Sequence, residues 1–550
     1  MRAPEDSLPR RLLAAAAAIV TADSLTAQQR APQNESIREA ELRADLFFLA
    51  GDAMRGRLTD TVENRATADY IRSRFERIGL KPAAPGNSYF QVYHLMTASL
   101  AEGNALEVSG ADGAVRRLRQ EQEFYPQRFS ASGDVSAAVV FAGFGITAAR
   151  WKHDDYSGDV RGKIVLVLDH EPGERDPNSP FEGVVTAEPA AAWRKALAAQ
   201  EKGAAGILFV SDVHNHPGPV NFEQAARNAW PEARPHLQTY TLAAWADRIR
   251  IPAAQVSPAL AESLVAGTGK TLADLSKSAE TTGGFTPLAL PGARVSLHTA
   301  VNRHTIPDRN VVALLEGSDP KLKDEWVIVS AHFDHNGADG SQIFNGADDN
   351  GSGMVALLEI ADAYALAAQQ GLRPRRSVLF AAWNSEERGL LGAWAYTEQP
   401  LAPLATIAAV LNMDMIGRNE EVQPGGGGRF NGLEVQTAES NSNAVNVLGF
   451  ARAPELATAM DQANAGIGLD LQKRYDNNPS NLVRRSDHWP FLQRGVPALG
   501  FGLGLHPDYH TVYDRPEKIN YVKMEKIARL IHQASWTLAN ARTRPKTVAQ

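Results

Sequence analysis

Short, continuous apolar segments alternate with longer segments of helical periodicity from about residue 300 to the end of the chain. The apolar segments are 326–331, 377–383, 408–413 and 496–501, and the helical ones are 352–369, 389–397, 453–465 and 523–539. A short strand that is apolar throughout is typical of a sheet covered on both faces. The alternation predicts an α/β domain with a mixed central sheet and helices on both faces.

Two more helices are predicted nearer the N-terminus, at 36–49 and 61–79. In the first, Leu42, Leu46 and Leu49 recur at helical spacing. In the second, Gly79 suits the C-terminal cap.

Residues 131–292 have a different pattern of apolar and polar positions. Short apolar segments at 137–141, 163–168 and 206–210 are separated by Gly, Pro, Asp and Asn, and only 190–202 shows a clear helical pattern. We interpret this part as an inserted β-rich module. It contains His170-Glu171, but Pro172 follows, so a helical His-Glu-x-x-His zinc motif cannot form there.

The first 27 residues are typical of a secretory signal. Arg10 and Arg11 precede an apolar segment at 12–20, and small residues follow as far as Ala27. We therefore expect export to the periplasm or the exterior. The apolar segment is too short to span a bilayer, and we expect no stable membrane insertion of the mature chain.

Composition narrows the possible chemistry. The net charge of −7 and the sequence pI near 6.1 exclude the electrostatic footprint of a nucleic-acid-binding protein. Because there is no cysteine, any metal must be held by His, Asp and Glu. The oligomeric state is left open by the sequence.

Five candidate metal ligands and one candidate base follow the predicted strands or precede a predicted helix. The carboxyl ends of strands are where open α/β sheets place their ligand crevices. The six residues are His332, Asp349, Glu386, Glu387, Asp414 and His510.

The residue types suit two zinc ions. Zinc accepts imidazole nitrogen and carboxylate oxygen, and two zinc ions roughly 3.5–4 Å apart need a bridging carboxylate. We expect Asp349 to be the bridge, with His332 and Asp414 on one ion and Glu387 and His510 on the other. A shared water would then be acidic enough to supply hydroxide.

Three further residues receive roles beside the ligands. Glu386 is the expected general base, which passes the proton of the water to the leaving amine. Asp334 is expected to accept the second imidazole N–H of His332 and so fix its tautomer. Tyr509 could donate its hydroxyl to the developing oxyanion. We interpret His335 and His506 as structural histidines.

These motifs resemble the M28 family of zinc exopeptidases, strongly over 300–545 and more weakly over 36–130. The matching motifs are 332–334, 346–350, 386–387, Asp414 and 509–511. The resemblance implies that Asp349, rather than Asp348, bridges the metals, with a cis peptide bond after it. The segments 159–167 and 202–206 resemble a protease-associated domain, which in the family covers or borders the active site and does no chemistry.

The leading hypothesis is an exported two-zinc aminopeptidase that acts on peptides. A carboxypeptidase or dipeptidase is the alternative on the same site, with Arg418 or Arg485 as the anchor for a substrate carboxylate. A one-zinc glutaminyl cyclase and a non-catalytic receptor-like ectodomain are further alternatives. The complete ligand set argues against these last two.

Overall fold

The computed structural model describes residues 30–109 and 114–548, so the predicted signal at 1–27 lies outside the described residues. Its strands form two large sheets and two small ribbons. In chain order the strands are β1 Lys81–Pro82, β2 Phe90–Leu100, β3 Ala105–Ser109, β4 Val115–Arg117, β5 Phe124–Pro126, β6 Gly133–Phe141, β7 Thr147–Ala148, β8 His153–Asp154, β9 Ile164–Leu168, β10 Gly206–Val210, β11 Thr241–Leu242, β12 Ala253–Val256, β13 Leu288–Thr299, β14 Val301–Leu315, β15 Trp326–His332, β16 Ala338–Asp339, β17 Gln342–Ile343, β18 Ser377–Trp383, β19 Ile407–Asp414, β20 Ala444–Leu448, β21 Asp470–Gln472 and β22 Ala498–Gly502.

Seven of the twelve α-helices of the described residues fall close to the predicted segments, and the other five were not predicted. In chain order they are α1 Glu39–Leu49, α2 Val62–Arg77, α3 Ala192–Glu201, α4 Phe222–Ala229, α5 Ala243–Ala246, α6 Pro258–Val265, α7 Leu272–Ala279, α8 Gly353–Gln369, α9 Leu391–Glu398, α10 Pro454–Asn464, α11 His488–Gln493 and α12 Tyr521–Asn540. Ala347–Gln369, which includes α8, is apolar and long enough to cross a membrane, but 83% of its apolar window is buried inside the protein.

The larger sheet has ten strands, in the order β11-β2-β14-β18-β15-β19-β22-β20-β21, with β1 beside β14. Its four central strands, β18, β15, β19 and β22, run parallel, while β14 and β20 flank them antiparallel. Helices α1, α2, α8 and α12 cover one face, and α9 and α11 cover the other. The predicted α/β class with a mixed sheet is confirmed.

The second sheet has eight strands, in the order β4-β3-β13-β6-β9-β10-β12-β5, around its own apolar core. It includes β3, β4 and β5, so it begins before residue 131, where the sequence places the start of the insert. Strands β6, β9, β10 and β12 are parallel neighbours. The carboxyl ends of β9 and β10 therefore lie side by side.

Three tryptophans join the insert to the larger domain. The rings of Trp193 and Trp245 stack with centroids 4.4 Å apart and an interplanar angle of 14°. Trp245 also meets Trp394 of α9 edge-on, at 5.9 Å. These residues belong to the apolar cluster that covers one face of the larger sheet. The insert is thus packed against the larger domain through buried aromatic surface.

Candidate metal centre

Parallel pairing brings the ends of three central strands together. His332 at the end of β15 lies opposite Trp383 at the end of β18, and β19 runs on the other side of β15 to Asp414. A chain reversal directly after β18 carries Glu386 and Glu387, whereas Asp349 precedes α8 and His510 lies in the loop after β22. Ser385 and His510 adopt left-handed φ values of 58° and 56°, which turn the backbone sharply at the site.

The first group of polar side chains contains His332, Glu386 and Asp414. His332 Nε2 lies 3.4 Å from Asp414 Oδ1 and 3.7 Å from Glu386 Oε2. All three residues are buried. Their donor atoms lie within 4.8 Å of one another, so one metal ion fits among them.

The second group contains His335, Asp349, Glu387 and His510, again with donor atoms within 4.8 Å of one another. His510 Nε2 lies 2.9 Å from Asp349 Oδ2 and 3.2 Å from Glu387 Oε2. The His510 side chain is 36% exposed, while that of Glu387 is 4% exposed. This group therefore faces the solvent-accessible side of the site.

Asp349 joins the two groups. Its Oδ1 lies 3.4 Å from His332 Nε2 in the first group, and its Oδ2 lies 2.9 Å from His510 Nε2 in the second. A single carboxylate thus presents one oxygen to each side, which is the arrangement that a bridging ligand requires. The peptide bond Asp349–Asn350 is cis, as the resemblance implies.

His335 belongs to this constellation, although its sequence context indicated a structural histidine. Its Nδ1 lies 2.6 Å from Glu387 Oε1 and 3.8 Å from Asp349 Oδ2. Both ring nitrogens are buried, and neither makes a hydrogen bond in the described structure. The available signal was its place in the tetrapeptide 332–335, directly after Asp334.

Asp334 departs from its expected contact. Its carboxylate Oδ1 is 3.6 Å from His332 Nδ1, too far for a hydrogen bond, while its backbone oxygen is 3.2 Å from that nitrogen. The carboxylate instead accepts the backbone N–H groups of Glu386, at 3.0 Å, and Glu387, at 3.3 Å. Asp334 therefore positions the acidic pair by its side chain and His332 by its carbonyl.

Asp348 faces away from both groups. Its Oδ1 accepts N–H bonds from Gly417, at 2.6 Å, and Arg418, at 3.0 Å. Its Oδ2 lies 3.3 Å from His506 Nε2. The carboxylate of Asp514 accepts the N–H groups of Asp348 and Asp349, and so holds the turn that aims Asp349 at the centre.

Arg57 ties together the backbone around the site. Its buried guanidinium donates to the carbonyl oxygens of Phe333, Leu49, Asn345 and Gly346 at 2.7–2.9 Å. Burial lowers the pKa of Arg57 to about 10, against the opposing effect of nearby carboxylates. It remains a cation at neutral pH, and it fixes the loops on either side of Asp349.

The adjacent carboxyl groups of Glu386 and Glu387 have differently shifted pKa values. Burial raises the pKa of Glu386 well above its usual range, which suits a proton acceptor. Burial also acts to raise the pKa of Glu387, but His510 and His335 outweigh it and hold that pKa well below its usual range. Burial and the neighbouring histidines therefore shift the pKa values of these two adjacent carboxyl groups in opposite directions.

The residues present fit a pair of metal ions. Asp349, Glu386, Glu387 and Asp414 are each less than a tenth exposed on their side chains. Such a concentration of buried negative charge requires a compensating cation. The donors are imidazole and carboxylate, which zinc accepts.

Three further residues are candidates for substrate contact, namely Tyr509, Arg418 and Arg485. The Tyr509 ring stacks on His510 with centroids 3.8 Å apart, and burial raises the pKa of its hydroxyl well above the usual value, so the phenol stays neutral. Arg418 is engaged by Asp508 at 2.9 Å. Arg485 makes no side-chain hydrogen bond or ion pair within 30–109 and 114–548.

Fold and site together define a mixed α/β domain with a cluster of candidate metal ligands at the ends of its central strands. Residues 310–535 match the sequence model of peptidase family M28, and residues 131–264 match that of the PA domain. The chain thus matches peptidase family M28 over residues 310–535 and the PA domain over most of its insert.

Known proteins similar to the chain include both amino- and carboxypeptidases. A probable glutamate carboxypeptidase of Arabidopsis thaliana is 31% identical over 213 residues, 37% of this chain and 26% of that protein. Leucine aminopeptidase 2 of Trichophyton equinum is 26% identical over 263 residues, 43% of this chain and 47% of that protein. The chain thus spans less than half of each.

Among solved structures, the chain is similar to an aminopeptidase from Aneurinibacillus sp. strain AM-1. The two are 16% identical, with a TM-score of 0.45 and coverage of 94% of this chain and 97% of the other.

Proposed function

We propose that this protein is a two-zinc exopeptidase that removes N-terminal residues from peptides. The observation that carries the proposal is the position of Asp349, with one carboxylate oxygen 3.4 Å from His332 and the other 2.9 Å from His510. This position supports a bridged pair of ions, His332 and Asp414 on one side and His335, Glu387 and His510 on the other.

The residues around the proposed pair of zinc ions have different roles in hydrolysis. Bound zinc would supply Lewis acidity that makes a water molecule nucleophilic at neutral pH. Glu386 accepts the proton of the attacking water and delivers it to the leaving amine. The neutral hydroxyl of Tyr509 donates to the oxygen on which charge develops. Asp334 holds the backbone of Glu386 in place through their 3.0 Å hydrogen bond.

The charge of the site favours a substrate amine. The side chains of Asp334, Asp349, Glu386, Glu387, Asp414 and Asp487 are all buried at or beside the centre. These six carboxyl groups outnumber the cationic side chain buried beside them, that of Arg57, so acidic groups dominate the lining of the site. An α-ammonium group is attracted by that potential, while a terminal carboxylate is repelled.

A carboxypeptidase or dipeptidase is the second candidate, and Arg485 is the observation that favours it. Its guanidinium has no ion-pair partner among the described residues, and its charge acts on Tyr509 at the mouth of the site. An unpaired arginine there could bind a substrate carboxylate bidentately. Arg418 is a weaker anchor, because Asp508 already occupies it.

Two substrate panels distinguish the candidates. The mature protein is assayed on aminoacyl-p-nitroanilides and on N-blocked peptides with a free carboxylate, each with and without a chelator. Chelator-sensitive cleavage of the anilides alone supports the aminopeptidase. Cleavage of the blocked peptides alone transfers the assignment to a carboxypeptidase, and Arg485→Met should then raise KM. Cyclisation of N-terminal glutamine without cleavage of either panel would indicate a glutaminyl cyclase.

We also propose that the chain is exported. The support is the basic, apolar and small-residue order of residues 10–27. N-terminal sequencing of protein from a cell fractionation tests it, with a mature chain that starts at Gln28 outside the cytoplasm as the expected result. An intact Met1 in the cytoplasmic fraction would contradict it.

A further inference from the structure

A second cluster of metal-binding side chains lies in the PA domain, apart from the catalytic residues. His170 Nδ1 is 3.0 Å from Glu174 Oε2, and His216 Nε2 is 2.5 Å from Glu174 Oε1. The three donor atoms lie within 4.8 Å of one another. The side chains of the two histidines are 43% and 44% exposed, and that of Glu174 is 13% exposed, so the cluster is open on one side only.

The topology of the insert creates this cluster. His170 follows β9 and His216 lies in the loop after β10, and these strands are parallel neighbours with Leu168 opposite Val210. The two loops therefore leave the same edge of the sheet. The rings of His170 and His216 stack with centroids 4.4 Å apart, and both present a ring nitrogen to the one carboxylate of Glu174.

The backbone around the cluster is held in place before any ligand arrives. Glu280 accepts the N–H of Gly173 at 2.6 Å and the Asn215 side-chain amide at 2.5 Å, so one carboxylate fastens both loops. Buried Lys195 donates to the His170 carbonyl at 2.5 Å. Such support from outside the donor set is typical of metal sites, where it fixes the orientation of the ligands.

A hydrogen bond between Glu174 and His216 does not account for their close approach. Glu174 Oε1 is buried and accepts no hydrogen bond among the described residues, in spite of its 2.5 Å approach to His216 Nε2. The same combination occurs at the catalytic centre, where His335 Nδ1 lies 2.6 Å from Glu387 Oε1 without making a hydrogen bond. In both places an imidazole nitrogen faces a carboxylate oxygen without the geometry of a hydrogen bond between them.

We propose that His170, Glu174 and His216 bind one Zn²⁺ ion. Two imidazoles and a carboxylate are a known donor set for zinc that leaves further positions to water, and the exposed side of the cluster provides that access. The proposal is independent of the reaction at the catalytic centre, since none of its residues touches that centre.

The ion would clamp the segment through which the insert rests on the catalytic domain. That segment runs from β9 to α3, and it donates the N–H groups of Val184 and Thr186 to Asn477 and Asn481 at 2.9 and 3.2 Å. Zn²⁺ at the start of the segment joins it to the neighbouring loop after β10. Binding to the folded state should therefore raise Tm.

Zn²⁺ binding by the full-length mature protein tests the proposal. Bound zinc per chain is measured by elemental analysis after equilibrium dialysis at about 1 μM free Zn²⁺, a concentration well above the dissociation constants expected of built sites. The variants are His216→Gln, Glu174→Gln and His170→Asn; asparagine tolerates the left-handed φ of 65° at that position. His298→Gln is the matched control, because exposed His298 also pairs with a carboxylate, that of Asp134 at 2.7 Å.

The expected result is one equivalent of zinc fewer in each of the three variants, with the control equal to the wild type and peptidase activity retained throughout. The zinc-dependent rise in Tm should also shrink in His216→Gln. Equal zinc contents in all five proteins would overturn the proposal and leave a proton-linked His-Glu-His cluster. The dialysis is repeated with a weak competing chelator. If the wild type and the three variants then contain equal zinc, the extra ion is bound only adventitiously, and the proposal is overturned as well.

Discussion

His335 Nδ1 lies 2.6 Å from Glu387 Oε1, across the ends of two neighbouring parallel strands. Through this contact His335 becomes a fourth donor in the group that contains His510. The contact also explains part of the low pKa of Glu387, which keeps that carboxylate ionised and ready for a metal.

We therefore expect His335→Gln to weaken binding of one of the two proposed metal ions by at least about 10–100-fold, the range found when supporting residues of metal sites are replaced. Metal release against a competing chelator measures the effect. His236→Gln is the control, because His236 contacts the backbone of Asn336 near the site at 2.7 Å but belongs to neither donor group. Equal metal affinity in both variants would remove His335 from the site.

Glu386→Gln should leave the bound metal in place while kcat falls by about 10²–10⁴-fold, because the amide cannot accept the proton of water. Steady-state kinetics and metal content are measured on the same preparation. Glu387→Gln serves as the contrast, since it should lower the metal content. Unchanged kcat in Glu386→Gln would mean that another group is the base.

Arg57→Met should lower the free energy of unfolding by about 3–5 kcal/mol, since it removes a buried charge from among carboxylates and leaves carbonyl oxygens unpaired. Urea unfolding at neutral pH measures it. The matched control is Arg55→Met, whose 48% exposed side chain lies 3.9 Å from Glu63, and which should change stability by less than about 0.5 kcal/mol. A similar loss in both variants would contradict the buried role of Arg57.

His532→Gln should make the protein less sensitive to acid. Burial lowers the pKa of His532 from 6.5 to about 3, so between these values the unfolded chain binds a proton that the folded chain excludes. Stability is therefore complete above pH 6.5 and is lost toward pH 3, by up to about 1.4 kcal/mol per pH unit.

The test compares free energies of unfolding at pH 7 and pH 4.5. The difference should be smaller in His532→Gln than in the wild type, whereas His94→Gln, on the exposed side of β2, should match the wild type. If the free energy of unfolding falls equally between pH 7 and pH 4.5 in all three proteins, the acid sensitivity arises from another group. His488 is one such group, because burial also lowers its pKa to about 3.

The central strands were predictable because burial on both faces requires continuous apolar sequence, as in 326–331 and 377–383. Strand β14 was not among the predictions. Its first ten residues alternate irregularly between exposed and buried positions and include Pro307, so no short periodicity reveals them. Its pairing with β2 along eleven residues is a contact between distant parts of the chain.

The site likewise contains residues that the sequence predicts and residues that it does not. Ligands directly after strands, such as His332 and Asp414, follow from strand ends and residue type. The orientation of His335 depends on a turn after β15, and the role of Arg57 depends on carbonyls nearly 300 residues away. No local sequence pattern predicts either role, because each role depends on the position of the backbone of another segment.

The pairing of β11 with β2 has a consequence for solubility. Strand β2 is 11 residues long, and on the side away from β14 its neighbour is the two-residue β11 of the insert, with Thr241 opposite Met96. Helix α5 follows directly and contacts the same strand. Without them, β2 would offer a long row of unpaired backbone groups to any other extended chain. The insert thus covers part of this edge of the larger sheet, and a chain trimmed of it should self-associate.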